Sequence, residues 1–244
     1  MPGSIRLFLP APLADGARVA ATPAQAHYLA NVMRRRVGDP VLLFNGQDGE
    51  FAGHIDALRR DRVDLLVGAR TRVQAPEPDL WLVFALLKRD ATDLVVQKAT
   101  ELGAAALWPV LTERGNTHRM NAERLGAIAI EAAEQAERLT IPVLHPPRPL
   151  HDLLADWPAE RPLFAAVERS DAPGLRPATG PAALLVGPEG GFTATELDAM
   201  RTRPFVTPVS LGPRILRAET ASIAGLALLQ GVDGREYDDA NRMT

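Results

Sequence analysis

The sequence predicts an α/β protein in two parts, a small β-rich domain and a larger domain built on a mostly parallel sheet. Residues 5–72 contain short apolar strands around one helix, which is typical of a β-meander or small barrel. After residue 80, apolar strands alternate with helices, and this alternation favours a parallel sheet covered by helices. Pro76 and Pro78 favour extended backbone between the two parts. The expected boundaries are 1–73 for the first domain, 74–79 for the linker and 80–244 for the second domain.

The first domain is expected to contain four strands and one helix. The helix begins after Thr22, because Thr22 and Gln25 can form a capping box and Pro23 suits the first helical position. It runs up to three consecutive arginines at 34–36. The expected strands cover residues 5–9, 40–44, 51–58 and 62–67, with a hairpin loop at 45–49.

The second domain is expected to alternate between strand and helix. One helix covers 92–102 and ends at Gly103, a residue that suits a helix C-terminus. A second capping box, formed by Thr193 and Glu196, predicts the start of a later helix. The other helices are expected at 122–139 and 220–231, and the strands at 80–87, 104–111, 162–167, 182–186 and 206–211.

The composition excludes several kinds of chemistry. Hydrophobic residues make up 46% of the 244 residues and charged residues 23%, which is typical of a globular protein and excludes a disordered chain. The absence of cysteine excludes disulfides, a thiolate nucleophile and a Cys-ligated zinc, and the five histidines show no metal-ligand spacing. No apolar run approaches the roughly 20 residues of a membrane span. We therefore expect no metal, no membrane partner and a cytoplasmic location.

An apolar strand that runs into a glycine-rich turn, LLVGPEGGF at 184–192, is the first candidate for a functional site. Ligands of open α/β sheets bind at the carboxyl ends of strands, where glycines let backbone amides approach a ligand closely. The spacing is not G-x-G-x-x-G and no G-K-[ST] is present, which disfavours a dinucleotide site and a P-loop. A plain tight turn is the alternative interpretation.

The segment VSLGPRILRAET at 209–220 is the second candidate. A strand ends in Gly-Pro and passes into a helix, with Arg214 and Arg217 between them. Two arginines near a helix N-terminus oppose the macrodipole, and that arrangement favours an anionic ligand. The alternative is that both arginines are solvated or pair with Glu219.

A polar helix face at 131–138 is the third candidate. Glu131, Glu134, Gln135 and Arg138 are spaced three and four residues apart and therefore share one face. By spacing alone, a solvated face with a Glu134–Arg138 pair is the better interpretation.

Several motifs carry a family resemblance that covers nearly the whole chain. GPEGGFT followed by SLGPRILRAETA resembles the SPOUT methyltransferases. QKATELG at 97–103 and EAAEQAERLTIP at 131–142 resemble, more narrowly, the RsmE family of 16S rRNA (uracil-N(3))-methyltransferases. RLFLP, HYLANVMRRRVGD and FNGQDGEF resemble that family's PUA-like RNA-binding domain. The resemblance implies a small PUA-like β-barrel, a C-terminal SPOUT trefoil-knot domain and a homodimer.

The resemblance also implies that S-adenosylmethionine (SAM) binds at the two strand-end loops. The implied cofactor-binding residues are Leu185, Val186, Gly187, Glu189, Gly190, Gly191, Leu211, Gly212, Ile215, Leu216 and Arg217. The glycines would allow close approach of the backbone, and the aliphatic side chains would form apolar walls for a purine. The methyl group of SAM is already activated, so the implied reaction needs no metal.

The implied reaction is methylation of N(3) of a uridine in small-subunit ribosomal RNA, either free or assembled into the subunit. This nitrogen carries a proton at neutral pH, so the site needs a proton acceptor or a cation that stabilises the anionic ring. Charge stabilisation is assigned to Arg217 or Arg214, and proton acceptance or loop ordering to Glu189. The candidates for contact with the RNA are Arg34, Arg35, Arg36 and Arg114.

Two other functions remain alternatives. One is a SPOUT enzyme that methylates a ribose 2′-hydroxyl, which the EAAEQ and ELG segments disfavour. The other is a non-catalytic RNA-binding or ribosome-assembly protein, which the GPEGG and RILRAET segments argue against. Binding of SAM discriminates the second alternative from an enzyme.

Overall fold

The computed structural model describes residues 5–59, 62–115, 117, 119–168 and 171–231. The chain divides into two compact units: Met1–Glu77 with Ala129–Ile141, and Pro78–Ile128 with Pro142–Thr244. The end of the expected second domain, 232–244, lies outside the described residues. In the described part of the chain, no helix combines the length and the apolar character needed to cross a membrane.

The first unit is built on a five-stranded sheet with the strand order β1-β3-β4-β5-β2. The strands are β1 Ile5–Phe8, β2 Arg18–Ala20, β3 Pro40–Phe44, β4 Glu50–Arg59 and β5 Arg62–Arg72. β1 and β3 pair in parallel, and the other neighbours are antiparallel. Leu7, Leu43 and Ile55 lie in the core of this unit. The sequence does not predict β2, because a strand of three residues is too short to show a hydrophobic period.

The helix of the first unit, α1 (Pro23–His27), begins as the sequence predicts. Thr22 Oγ1 accepts a hydrogen bond from the Gln25 amide, and Gln25 Oε1 accepts one from the Thr22 amide, so the capping box is confirmed. The helix continues as a π-helical turn, Tyr28–Val32, and ends before the three arginines. Arg34 follows with a φ of 51°, which is left-handed backbone.

The second unit is built on a parallel sheet with the strand order β12-β10-β11-β6-β7-β8, and β9 also pairs with β7. The strands are β6 Leu80–Ala85, β7 Ala106–Leu111, β8 Val143–Leu144, β9 Arg148–Pro149, β10 Leu163–Ala166, β11 Ala182–Val186 and β12 Val206–Val209. The helices of this unit are α2 Arg89–Glu101, α4 Leu150–Ala155, α5 Ala194–Arg201 and α6 Ala218–Gln230. A further helix, α3 Ala122–Gln135, begins in this unit, and its residues from Ala129 onward belong to the first unit. The predicted fold class, a parallel α/β domain preceded in the chain by a small β domain, is confirmed.

Three elements of the second unit escape prediction from sequence. β8 and β9 have two residues each, and α4 has six, so none is long enough to show a hydrophobic period. Of the predicted strands, β10, β11, β6 and β7 lie inside the sheet, where long apolar runs are buried on both faces, whereas β12 is an edge strand. β11 is the clearest case, because all five of its residues are buried.

The C-terminus of α3 corrects the interpretation of the third candidate segment. The helix ends at Gln135 rather than at residue 139, because Glu137 adopts a φ of 56° and the Arg138 amide bonds back to Ala133 O at 3.0 Å. The expected Glu134–Arg138 pair is wrong. Glu134 Oε1 accepts the Phe8 amide at 2.9 Å, while Arg138 pairs with Glu77.

A buried arginine on β1 holds this end of α3. Arg6 donates to the carbonyl oxygens of Ala133, Glu134 and Arg138 at 2.9–3.1 Å, and its Nε donates to Glu50 Oε2 at 2.7 Å. The last turn of a helix leaves its carbonyl oxygens without helical amide partners, and here Arg6 joins the Arg138 amide in bonding Ala133 O. Arg6 therefore serves as a C-terminal cap supplied from a distant strand.

Candidate functional site

Two loops at the carboxyl edge of the second sheet form one cavity. The first loop follows β11 and the second follows β12, and both strands pair in parallel with β10 between them. Their carboxyl ends consequently lie at the same edge, which is where ligands of such sheets bind. The cavity has a volume of about 820 Å³. Most of its wall comes from residues 186–192 and 210–216, with further contributions from Arg114, Ala166, Val167, Glu168, Leu197, Ala218 and Ala221.

The first loop is a tight turn between a buried strand and a capped helix. The Gly191 amide donates to Pro188 O at 2.9 Å, and Gly191 has a φ of 65°, a conformation that glycine adopts without strain. Phe192 is buried behind the turn and packs within the core of this unit. The result is a short stretch of exposed backbone that begins where β11 ends.

A buried carboxylate joins this loop to the end of β7. Glu196 Oε2 accepts the Thr193 amide at 2.8 Å, and Thr193 Oγ1 accepts the Glu196 amide at 3.2 Å, so the second predicted capping box is confirmed. The other oxygen, Oε1, accepts the Glu113 amide at 2.9 Å. Glu196 therefore stabilises both the start of α5 and the segment after β7.

Arg114 lies against the glycine-rich loop. Its Nη1 donates to Gly190 O at 2.9 Å and to Phe192 O at 3.3 Å. Its side chain also packs so closely that a Cβ on Gly190 would lie 3.3 Å from Arg114 Cβ. The sequence assigns Arg114 to RNA contact, and the structure gives its side chain a role in holding this loop.

The second loop is held by residues 173–175, which form an isolated parallel bridge with Ser210. Ser210 donates its amide to Pro173 O, and its carbonyl accepts the Leu175 amide, at 2.9 and 3.0 Å. Gly212 has a φ of 112°, which a residue with a side chain rarely adopts, and its amide donates to Ser210 Oγ at 3.2 Å. Beyond it, Ile215 lines the cavity with 57% of its surface exposed.

The predicted charged residues differ in their relation to the cavity. Glu189 and Arg214 are exposed and line it. Arg217 is exposed and directly precedes α6. It does not line the cavity, although its two neighbours in sequence, Leu216 and Ala218, do. In the described part of the chain, none of these three charged groups forms an ion pair.

Most of the predicted cofactor-binding residues share the cavity wall. The structure brings together Val186, Gly187, Glu189, Gly190, Gly191, Leu211, Gly212, Ile215 and Leu216. It does not bring Leu185 there, because the alternation along β11 turns that side chain into the core, where it is fully buried.

Sequence reasoning misses the contribution of β10. Ala166, Val167 and Glu168, at the carboxyl end of this strand, line the cavity between the two loops. The signal that could have found them is the order of the strands, because β10 lies between β11 and β12. That order cannot be read from the chain locally.

The arginines at 34–36 belong to the first unit. Arg34 and Arg36 are exposed and Arg35 is half-buried. Val32 and Met33, directly before them, are exposed apolar side chains. The segment thus presents cationic and apolar groups together on the surface of the first unit.

The cavity suits a nucleoside-containing ligand. Its volume lies within the ~300–1,000 Å³ of typical small-molecule sites, and its wall contains both aliphatic residues and glycines. The described residues contain no group of three or more His, Asp or Glu side chains placed to hold a metal ion. The observed wall therefore offers apolar contacts and backbone hydrogen bonds.

Comparison with known proteins gives consistent matches over both units. Residues 74–230 match the family model of an RNA methyltransferase domain, and residues 21–67 match that of an RNA methyltransferase PUA domain. The chain is 32% identical over 227 residues to Ribosomal RNA small subunit methyltransferase E of Rickettsia conorii, covering 91% of this chain and 93% of the relative. It is 31% identical over 225 residues to the protein of the same name from Bacillus subtilis, covering 85% and 88%.

A solved structure gives the same match in three dimensions. The crystal structure of a Ribosomal RNA small subunit methyltransferase E from Neisseria gonorrhoeae, bound to S-adenosyl methionine, superposes with a TM-score of 0.84. The sequence identity is 29%, and the match covers 93% of this chain and 97% of that chain.

Proposed function

The chain belongs to the ribosomal RNA small subunit methyltransferase E (RsmE) family, and we propose from this that it methylates N(3) of a uridine in 16S rRNA. It is a SAM-dependent rRNA methyltransferase. The observation that carries the proposal is the single cavity formed by the loops after β11 and β12. The ring position of the methyl group rests on the family resemblance of the EAAEQ and ELG segments.

The residues of the cavity fit SAM. The turn at Pro188–Gly191 and the positive-φ backbone at Gly212 present peptide groups rather than side chains, so a ribose or adenine can approach closely. Leu211, Ile215 and Leu216 supply the apolar surface that a purine ring needs. When bound, the sulfonium of SAM supplies an activated methyl group.

The charged residues near the cavity stabilise the acceptor base. Uridine N(3) loses its proton before or during attack, and the negative charge spreads to the ring oxygens. Arg214, at the cavity wall, and Arg217, beside it, are the cations able to stabilise that charge. Glu189 lies on the glycine-rich loop and is exposed, so we assign it to ordering of the loop rather than to proton acceptance.

The first unit contributes RNA contacts. N(3) of uridine faces its pairing partner in a duplex, so the base must be unpaired or taken out of the stack to react. We assign Arg34, Arg35 and Arg36 to the RNA backbone, because guanidinium groups bind phosphate in a salt-dependent manner. The partner is small-subunit rRNA, free or assembled, and the site of action is the cytoplasm.

A homodimer is also part of the proposal. α2 and α6 pack together, and each presents a partly exposed leucine, Leu94 at 36% and Leu228 at 42%. An exposed apolar side chain on each of two packed helices suits contact with a second copy of the chain. Sedimentation of the purified protein as a dimer is the expected result.

Nucleoside analysis tests the proposed reaction. The purified protein is incubated with SAM and small-subunit rRNA from cells that lack the gene, and the digested RNA is analysed by mass spectrometry. The expected product is N(3)-methyluridine at one site. A 2′-O-methylated nucleoside would contradict the ring position, and SAM binding without any methylated product would contradict the enzymatic function.

A variant of Arg217 tests the assigned role of the cation. Arg217→Ala is expected to keep SAM binding and to lose about 100-fold in methylation rate, since one preorganised charge is typically worth that much. Arg201→Ala, an exposed change in the last turn of α5, is the control and keeps the parental rate. If Arg217→Ala methylates at the rate of the parent protein, Arg217 has no role in stabilising the acceptor base.

A further inference from the structure

A second, smaller cavity opens in the same unit at the end of β6. Its volume is about 320 Å³, and it lies between the residues after β6, the start of α2 and the segment that leads into α3. Arg89, Arg119 and Arg124 are among the residues that line it. None of the described residues that line it is acidic, so the charged side chains of its lining are all cationic.

Two of these three arginines have charges that nothing in the described part of the chain neutralises. Arg124 forms an ion pair with Asp93, so its positive charge is offset by a neighbouring carboxylate. Arg89 and Arg119 are exposed, and neither forms an ion pair with a described residue. The cavity therefore has two cations available for an anionic ligand.

The start of α2 adds to the positive potential of this cavity. The residue before the helix is Lys88, whose side chain makes no capping hydrogen bond, and the first helical residue is Arg89. Basic groups oppose the macrodipole at a helix N-terminus, and Asp90 is the single acidic residue of that first turn. A bound anion would relieve this repulsion and accept hydrogen bonds from the free first-turn amides.

This cavity lies along the same edge of the sheet as the SAM cavity. β6 and β11 are parallel neighbours, so the residues that follow them emerge side by side, about 5 Å apart at the strands. One connection, from β7 to α3, reaches both cavities: Arg114 lines the first and Arg119 lines the second. An RNA chain that places a base in the SAM cavity can therefore place its backbone across the smaller cavity.

We propose that the smaller cavity binds a backbone phosphate of the substrate RNA, next to the nucleotide that is methylated. This inference rests on the proposed function, since it requires RNA at the SAM cavity. The guanidinium groups of Arg89 and Arg119 bind the phosphate oxygens, and arginine suits this because its planar fork donates two parallel hydrogen bonds. The contact positions the RNA and does not read its sequence.

The test removes both free cations and measures RNA binding, catalysis and SAM binding separately. The double variant is Arg89→Gln/Arg119→Gln. Its control is Arg201→Gln/Arg203→Gln, which also removes two positive charges. Arg201 is the last residue of α5 and Arg203 lies between α5 and the start of β12, toward the amino ends of the strands. SAM binding is measured by calorimetry and folding by thermal unfolding. Methylation kinetics and RNA affinity are measured with small-subunit rRNA at several salt concentrations.

The expected result is a KM for RNA at least tenfold higher in the cavity variant, with SAM affinity unchanged. The slope of log affinity against log salt falls by about 1, the amount that one lost phosphate contact predicts. A KM and a salt slope equal to those of the control overturn the proposal, while methylation by the parent protein keeps the proposed function intact. If the double variant does not fold, the single variant Arg119→Gln is tested in its place against the same criteria. Arg119 is exposed and lies outside every helix and strand, so this change is expected to leave folding intact.

Discussion

The carboxylate of Glu196 accepts the backbone amide of Glu113 at 2.9 Å, across 83 positions of sequence. The same carboxylate caps α5 through the Thr193 amide. Arg114, next to Glu113 in sequence, forms a second link between the same two segments by donating to Gly190 O and Phe192 O. The glycine-rich loop is therefore held from both sides, and its shape depends on the segment after β7.

Loss of the Glu196 carboxylate is expected to loosen the SAM cavity. Glu196→Ala removes a helix cap and leaves the Glu113 amide without its acceptor, which costs about 1–3 kcal/mol of unfolding free energy. SAM affinity falls as well, because the loop loses one of its two supports. Chemical denaturation and calorimetry measure these effects. Asp198→Ala, an exposed change on the same helix, is the control and alters stability by less than about 0.5 kcal/mol.

Arg114 is expected to act mainly on cofactor binding. Arg114→Ala removes both hydrogen bonds to the loop carbonyls, and SAM affinity is expected to fall by about tenfold, the equivalent of about 1.4 kcal/mol. Calorimetry with SAM in the absence of RNA isolates this effect from any RNA contact. An unchanged SAM affinity together with weaker RNA binding would instead restrict Arg114 to the role in RNA contact that the sequence predicts.

The packing of α6 on β11 is expected to tolerate no added methyl group. A Cβ on Gly225 would lie 2.5 Å from Leu184 Cδ2, and Leu184 is fully buried, so Gly225→Ala should destabilise the protein by about 1–3 kcal/mol. Gly126→Ala is a matched control on α3, where the added Cβ meets nothing within 4 Å. That change is expected to stabilise the protein by about 0.5–1 kcal/mol. Equal stabilities for the two variants would contradict this packing.

The stability of the first unit is expected to fall as pH rises through the titration of Glu134. Burial of the carboxyl, more than any other influence, raises the pKa of Glu134 to about 6, above its ordinary value of 4.5. Between these two pKa values the folded protein binds more protons than the unfolded chain, so raising the pH across this window lowers the unfolding free energy. Because the side chain is partly exposed, the loss is about 1 kcal/mol after allowance for solvent screening.

Denaturation at pH 4.5 and at pH 7 measures this dependence. Glu134→Gln keeps an oxygen that can accept the Phe8 amide but does not titrate. The unfolding free energy at pH 4.5 minus that at pH 7 should therefore be about 1 kcal/mol smaller in the variant than in the parent. An identical difference in parent and variant would show that the dependence comes from other groups.

Local chemistry made much of the site predictable from sequence. The two capping boxes, at Thr22 and Thr193, involve residues three positions apart, and both form as predicted. Glycine-rich turns after apolar strands likewise identified the two loops of the cavity, because parallel strands bring such turns to one edge. A trefoil knot, in contrast, is expected only from the family resemblance.

Tertiary structure alone decided which distant groups meet. Arg6 reads as an ordinary strand residue, yet it caps the end of α3 more than 120 positions away. Leu185 is one residue from the cavity wall, and the alternation of β11 turns it into the core. Capping and turn geometry depend on neighbours in sequence, whereas the partners of Arg6, Arg114 and Glu196 depend on how strands and connections assemble, and no local pattern encodes that order.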